Sequence, residues 1–113
     1  MVGLKKASDF RAIYRRRDSR ANDLLVLYKK KNHSEENRLG ISVSKKVGNS
    51  VVRHRLKRQV REICRLHWDR FLKGYDLIFV LRGKANGAPY SDLERSVEKL
   101  AIRHKIWKGD DRE

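Results

Sequence analysis

Between residues 45 and 65 the chain carries Lys45, Lys46, Arg53, Arg55, Lys57, Arg58, Arg61 and Arg65, with Glu62 as the only acid in the segment. Arginine predominates. A guanidinium fork matches two phosphate oxygens at once, so the chemistry this series offers is the gripping of a polyanion. At ~100° per residue a helix sorts the segment by character. Val52, Leu56, Val60, Ile63 and His67 fall on one face, and His54, Lys57, Arg58, Arg61 and Arg65 gather on the opposite one. Arg53 and Arg55 flank the apolar stripe. A merely solvated face would mix its signs, whereas like charges at this spacing each cost a few tenths of a kcal/mol. The apolar face must dock on a core, which leaves the basic face to a partner. Ahead of the helix stands Val47-Gly48-Asn49-Ser50, where Asn49 or Ser50 can cap. Free N–H groups and the positive end of the helix dipole add a second attraction for phosphate there, beside Lys45 and Lys46.

A second constellation is aromatic. Phe10, Ile13 and Tyr14 stand at i, i+3 and i+4, one face of a short helix that also carries Arg11 and Arg15. The stretch 38–44 alternates: Leu39, Ile41 and Val43 point one way, and Gly40, Ser42 and Ser44 the other. That second face has almost no bulk. A single nucleic-acid strand wants a basic groove with aromatic faces on which bases stack. Phe10, Tyr14 and Tyr28 offer the faces, and Arg11, Arg15, Lys45 and Lys46 the charge. Gly40, Ser42 and Ser44 offer close approach and hydroxyl donors. Core packing is the competing role for Phe10 and Tyr14.

The elements that must hold these residues follow from the same patterns. A helix is expected around Phe10, capped by Ser8 or Asp9, and a strand at 24–28. A polar, hairpin-like connection over 29–37 leads to the alternating strand at 38–44. The long helix runs from 51 to about 70. Residues 75–81 are expected to form a strand, buried on both faces because its apolar run over 77–81 is continuous. Ser91-Asp-Leu-Glu94 reads as a capping box for a last helix with Leu93, Val97, Leu100, Ala101 and His104 inward. The expected fold is α/β, an α+β two-layer sandwich in the order α-β-β-α-β-α. It forms one domain over 1–113, with a flexible charged tail at 110–113.

Composition narrows the partner. The chain has 113 residues, 29 Lys and Arg against 14 acids, and a formal charge of +15. Nucleic acid is the commonest offset to such self-repulsion. A membrane partner is not expected. No apolar run approaches the ~20 residues of a span, no signal-peptide core follows Met1, and no glycine stands at position two. Cys64 is the only cysteine, which fits a reducing cytoplasm and a buried structural role. Catalysis by the chain alone is not expected either, and no catalytic or metal residue is assigned. The acids are scattered, His33, His54, His67 and His104 fall in separate elements, and no phosphate-loop or dinucleotide motif occurs. His67 and His104 read as core histidines.

The stretch 45–62 resembles the signature of the protein subunit of bacterial ribonuclease P. That signature is Arg-Asn-Arg, any residue, Lys-Arg, two of any kind, then Arg. Arg53, Arg55, Lys57, Arg58 and Arg61 match it, as does the preceding Ser-Lys-Lys-Val-Gly-Asn turn. His54 stands where the family has Asn. Lys5, Lys6, Phe10 and Tyr14 resemble the family's first helix, 25–28 its first strand and 74–76 the start of its last. The resemblance spans roughly residues 4–105. It implies an α/β sandwich with an unusual left-handed βαβ crossover around the Arg-rich helix. It also implies a cytoplasmic protein cofactor to a catalytic RNA that removes the 5′ leader of precursor tRNA, with Mg²⁺ at the RNA's active centre. The protein would act as a monomer, one per RNA. Lys45, Lys46, Asn49, Arg53, His54, Arg55, Lys57, Arg58, Arg61 and Arg65 would then contact the catalytic RNA. A cleft of Phe10, Arg11, Tyr14, Arg15, Tyr28, Ser42 and Ser44 would hold the leader. The alternative is a ribosomal or architectural nucleic-acid-binding protein with no enzyme role.

Overall fold

The computed structural model describes residues 1–109, so the tail expected at 110–113 lies outside the described residues. The elements run β1 (Val2–Gly3), α1 (Ala7–Arg16), β2 (Ser19–Ala21), β3 (Leu25–Lys31), β4 (Arg38–Ser42), α2 (Ser50–Leu66), β5 (Tyr75–Leu81) and α3 (Tyr90–Arg103). The expected α/β order is present, with two short edge strands added. β1 and β2 carry no apolar alternation. They add on because their neighbours offer open rows of N–H and C=O groups.

β5 occupies the centre of a sheet ordered β1-β4-β5-β3-β2. Its unbroken apolar run requires this place, since only a central strand covered on both faces can bury successive side chains. β4 lies parallel to it and β3 antiparallel. The hairpin-like link expected over 29–37 is therefore corrected, because β5 separates β3 from β4. Part of that stretch is strand instead: Lys29, Lys30 and Lys31 pair with Leu77, Asp76 and Tyr75.

The sheet has two unequal faces. Leu77, Phe79 and Leu81 join Leu25, Leu27 and Leu39 in the larger core, which α2 and α3 cover with Leu56, Val60, Ile63, Leu93, Val97 and Leu100. Ile78 points the other way and joins Leu4 and Ile13 in a smaller core. Beyond the two expected layers, α1 thus covers part of the opposite face. Phe10, Tyr14, Tyr28 and Val80 edge that smaller core without being sealed by it.

Both expected side-chain caps on the outer helices are overturned. α1 starts after Lys6 with no side-chain cap, and Ser8 and Asp9 lie inside its first turn. α3 starts after Pro89, again without a side-chain cap. Proline's locked φ already suits a helix start. The acids find side-chain partners instead: Asp92 pairs with Arg95, and Glu94 reaches the His67 ring at 2.8 Å. α2 ends at Leu66, and a short 3-10 turn, Trp68–Arg70, replaces its expected last turn.

Candidate nucleic-acid interface

α2 keeps the charge sorting that its sequence requires. Leu56, Val60, Ile63 and Cys64 are buried, whereas His54, Arg55, Arg58, Arg61 and Arg65 are exposed. Arg53 and Lys57 are half-buried at the margins. The six cations from Arg53 to Arg65 span about 18 Å of helix at ~1.5 Å per residue. Glu62 takes one of them, holding the Arg65 fork at 2.7 and 3.0 Å. Each partner favours the charged form of the other: Arg65 holds the Glu62 carboxyl below the usual range, and Glu62 pushes Arg65 up. Among the described residues the other five cations make no ion pair. The buried Nε of Arg53 has no hydrogen-bond partner there, an omission that costs about 1–3 kcal/mol.

The turn ahead of α2 is held from three sides. Asn49 is the cap, its Oδ1 accepting from the Val52 N–H at 2.9 Å. Gly48 lies so close to the first helical turn that a Cβ there would stand 2.8 Å from Val52 Cγ1. Asn86 donates its side-chain amide to the Val47 carbonyl at 3.0 Å. The turn is therefore rigid, and it presents exposed Lys45, Lys46 and Asn49 at the positive end of the helix. Asn86 was not legible in the sequence, for its loop carries no pattern.

On the opposite face of the sheet, α1 and the strands form a cleft. Tyr14 meets Tyr28 edge-on at 4.9 Å between ring centres, and Phe10 lies 6.4 Å from Tyr14. All three rings are half-buried, so each packs on the small core and still presents a surface. Burial pushes the Tyr14 phenol up, partly offset by the Ser42 hydroxyl beside it. Pairing register adds Val26 and Val80 to the floor, since Val80 lies between Ser42 and Val26. Arg11 and Arg15 are exposed on α1. Ser42 is half-buried, and Ser44 is exposed beyond the strand end in the turn.

One expectation fails at Gly40. Its bulk-free side is already filled: a Cβ there would stand 2.6 Å from the Phe10 ring. Gly40 is a seat for Phe10 rather than open floor for a nucleic-acid backbone. Ser42 remains accessible on the same strand face.

A buried clamp fixes α1 over the sheet. Asp76, only 2% exposed, takes the Arg38 fork at 2.6 and 2.8 Å and an Asn32 amide N–H at 3.0 Å. Arg38 also reaches Asp9 on α1 at 3.5 Å. Burial opposes ionisation of Asp76, but the Arg38 and Asn32 hydrogen bonds outweigh it and hold the carboxyl below its usual range. Sequence reading missed this clamp because its members lie 29 and 38 positions from Arg38.

The cleft and the helix meet at the sheet edge. Phe10, Leu4 and Gly40 line a recess of about 430 Å³ whose other wall includes Lys57 and Arg61 of α2. Two polyanion-attracting surfaces on opposite faces of one sheet thus share a rim. Among the described residues no three His, Cys, Asp or Glu side chains group as a metal site.

Comparison with known proteins identifies the family. The ribonuclease P family model fits residues 2–105. The chain belongs to the ribonuclease P protein family. The ribonuclease P protein component of Clostridium kluyveri is 47% identical over 108 residues, covering 93% of this chain and 96% of that one. That of Clostridioides difficile is 45% identical over 105 residues, with 92% of each covered. Among solved structures, the Staphylococcus aureus RNase P protein superposes with a TM-score of 0.88 at 35% identity, covering 96% of this chain and 99% of that one. The Thermotoga maritima protein gives 0.83 at 30% identity, covering 91% and 97%. The role is that of the protein component of ribonuclease P, the enzyme of tRNA 5′ processing, and its partner is the ribonuclease P RNA. Among the described residues no helix is long and apolar enough to cross a membrane.

Proposed function

We propose that the basic face of α2 and its capped turn grip the catalytic RNA, while the cleft under α1 holds the single-stranded 5′ leader of precursor tRNA. The observation that carries this reading is the pairing of two unlike surfaces on one sheet. α2 offers a broad face of mostly unpaired cations, suited to the phosphates of a folded RNA. The cleft offers three half-buried rings and a hydroxyl, suited to stacked bases of a single strand. Their shared rim at Phe10, Lys57 and Arg61 supports a leader held close to the RNA that cuts it.

The chain's own part in the reaction is positional. The Asn49 cap on α2 and the Arg38–Asp76 clamp on α1 hold both surfaces in fixed relation, which lowers the entropy lost on bringing substrate and catalyst together. Mg²⁺ belongs to the RNA active centre in this reading. The chain acts as one copy per RNA in the cytoplasm, a compartment that its single buried thiol fits.

Reconstitution tests the reading. The protein is added to a bacterial ribonuclease P RNA at low Mg²⁺, and 5′ cleavage of precursor tRNA is timed. Stimulation of cleavage, with tighter binding of precursor than of mature tRNA, is the expected result. Phe10→Ala and Tyr28→Ala should narrow that preference. If the two tRNAs lose affinity equally, the rings do not touch the leader.

A further inference from the structure

A second cluster of cations lies away from the turn that opens α2, where β3 ends and β5 begins. Arg16, Lys29, Lys30, Lys31 and Tyr75 surround a recess of about 270 Å³ in which Asp18 is the only acid. An adjoining recess of about 200 Å³ shares Lys31 and Tyr75 and adds Lys73 and His33, with no acid. Among the described residues none of these five Lys and Arg side chains makes an ion pair.

The strip is built rather than incidental. Lys31 faces Tyr75 across the β3–β5 ladder. The Lys29 ammonium donates to the His104 carbonyl at 2.7 Å and lies 5.5 Å from the Tyr75 ring centre. The Tyr75 backbone N–H donates to Asn37 at 2.8 Å. An aromatic ring is thus held in place among cations, the combination that binds single-stranded nucleic acid. The strip is remote from the α2 turn. β5 runs from Tyr75 to Leu81, about 20 Å at ~3.3 Å per residue, and the α2 turn follows the far end of parallel β4.

The strip also meets the cleft around the end of β3: one recess joins Arg16 and Lys30, on the cleft side, to Lys29, Lys31 and Tyr75, which alternate onto the face that carries the larger core. Tyr28 and Lys30 stand two residues apart on one strand and share its cleft face. Lys30 is the next cation that a strand leaving the Tyr14–Tyr28 pair would meet. The geometry points to a second RNA contact: the strip takes upstream leader nucleotides that extend past the cleft. This rests on the cleft reading above, and deepens it by giving long leaders an additional site.

The test uses the reconstituted holoenzyme and precursor tRNAs with leaders of about 4 and about 12 nucleotides. In Lys31→Ala/Lys73→Ala, affinity for the long-leader precursor falls about tenfold at physiological salt. Its log–log salt slope falls by about 1.4, at ~0.7 per single-strand phosphate. Binding of the short-leader precursor stays within twofold. Both lysines are exposed, so the fold is retained. A charge-matched control, Lys99→Ala/Lys108→Ala, changes neither. Equal loss for both leaders, or a long-leader loss no greater than the control's, overturns the assignment. Tyr28→Ala in the same assay weakens the short-leader precursor. If it does not, the cleft reading falls, and the strip is judged separately by the lysine pair's dependence on leader length.

Discussion

One methyl group at Gly40 separates the packing of Phe10 from its role in the cleft. A Cβ at Gly40 would lie 2.6 and 2.8 Å from the Phe10 ring and 3.2 Å from Leu4 Cδ1. Carbon atoms ordinarily rest ~3.5–4.0 Å apart, so the ring must retreat by about 1 Å. It is half-exposed and can swing outward. Overpacking of this kind costs about 1–3 kcal/mol. Replacing a strand glycine returns about 0.5–1 kcal/mol. Gly40→Ala should therefore lower unfolding free energy by about 1–2 kcal/mol, read from the urea midpoint at constant m. It should also narrow the preference for precursor over mature tRNA. In a Phe10→Ala background the obstructing ring is gone, and Gly40→Ala becomes neutral or slightly stabilising. The coupling energy of this cycle should then be about 1–2 kcal/mol. Equal costs in both backgrounds would refute the seat. A full coupling with an unchanged precursor preference would instead separate Phe10 from the leader.

Other perturbations follow from the same geometry. Arg38→Ala leaves the Asp76 carboxylate buried without its main partner and should cost about 2–4 kcal/mol in denaturant unfolding. The folded Asp76 carboxyl lies below its ordinary value of 3.8, so its contribution is present above that pH and is lost as pH falls through the lower folded value. Acid titration of stability should show this loss in the native protein and lack it in Asp76→Asn. Arg58→Ala should reduce the salt slope of RNA binding by about 0.7–0.9 while leaving the unfolding midpoint unchanged. Asn49→Ala removes the cap on α2 and should cost about 1 kcal/mol, with weaker RNA binding if the turn loosens. Cys64 is fully buried and burial pushes its thiol well up, so a thiol reagent should label it only as fast as the protein unfolds.

Local pattern was enough wherever one periodicity decided the outcome. The 3.6-residue sorting of 52–67 determined which α2 side chains turn inward, because a helix with one apolar stripe has only one way to dock. Strict alternation at 38–43 separated Leu39, Ile41 and Val43 from Gly40 and Ser42. The unbroken run at 77–81 required a central strand. The family signature at 45–62 was legible for the same reason, since its residues are consecutive on one turn and one helix.

Tertiary structure decided whatever joins distant segments. Lys29, Lys30 and Lys31 read as loop from their charge, yet they are strand because β5 offers a free edge to pair with. Ser91 and Glu94 read as a cap, yet Glu94 meets His67 instead, which sequence places 27 positions away. Gly40 read as open floor, and only docking of α1 shows that Phe10 fills it. Periodicity reports which way a side chain points, because that depends on the chain's own geometry. What it meets there depends on strand order and helix placement, which arise from burying the whole apolar surface at once.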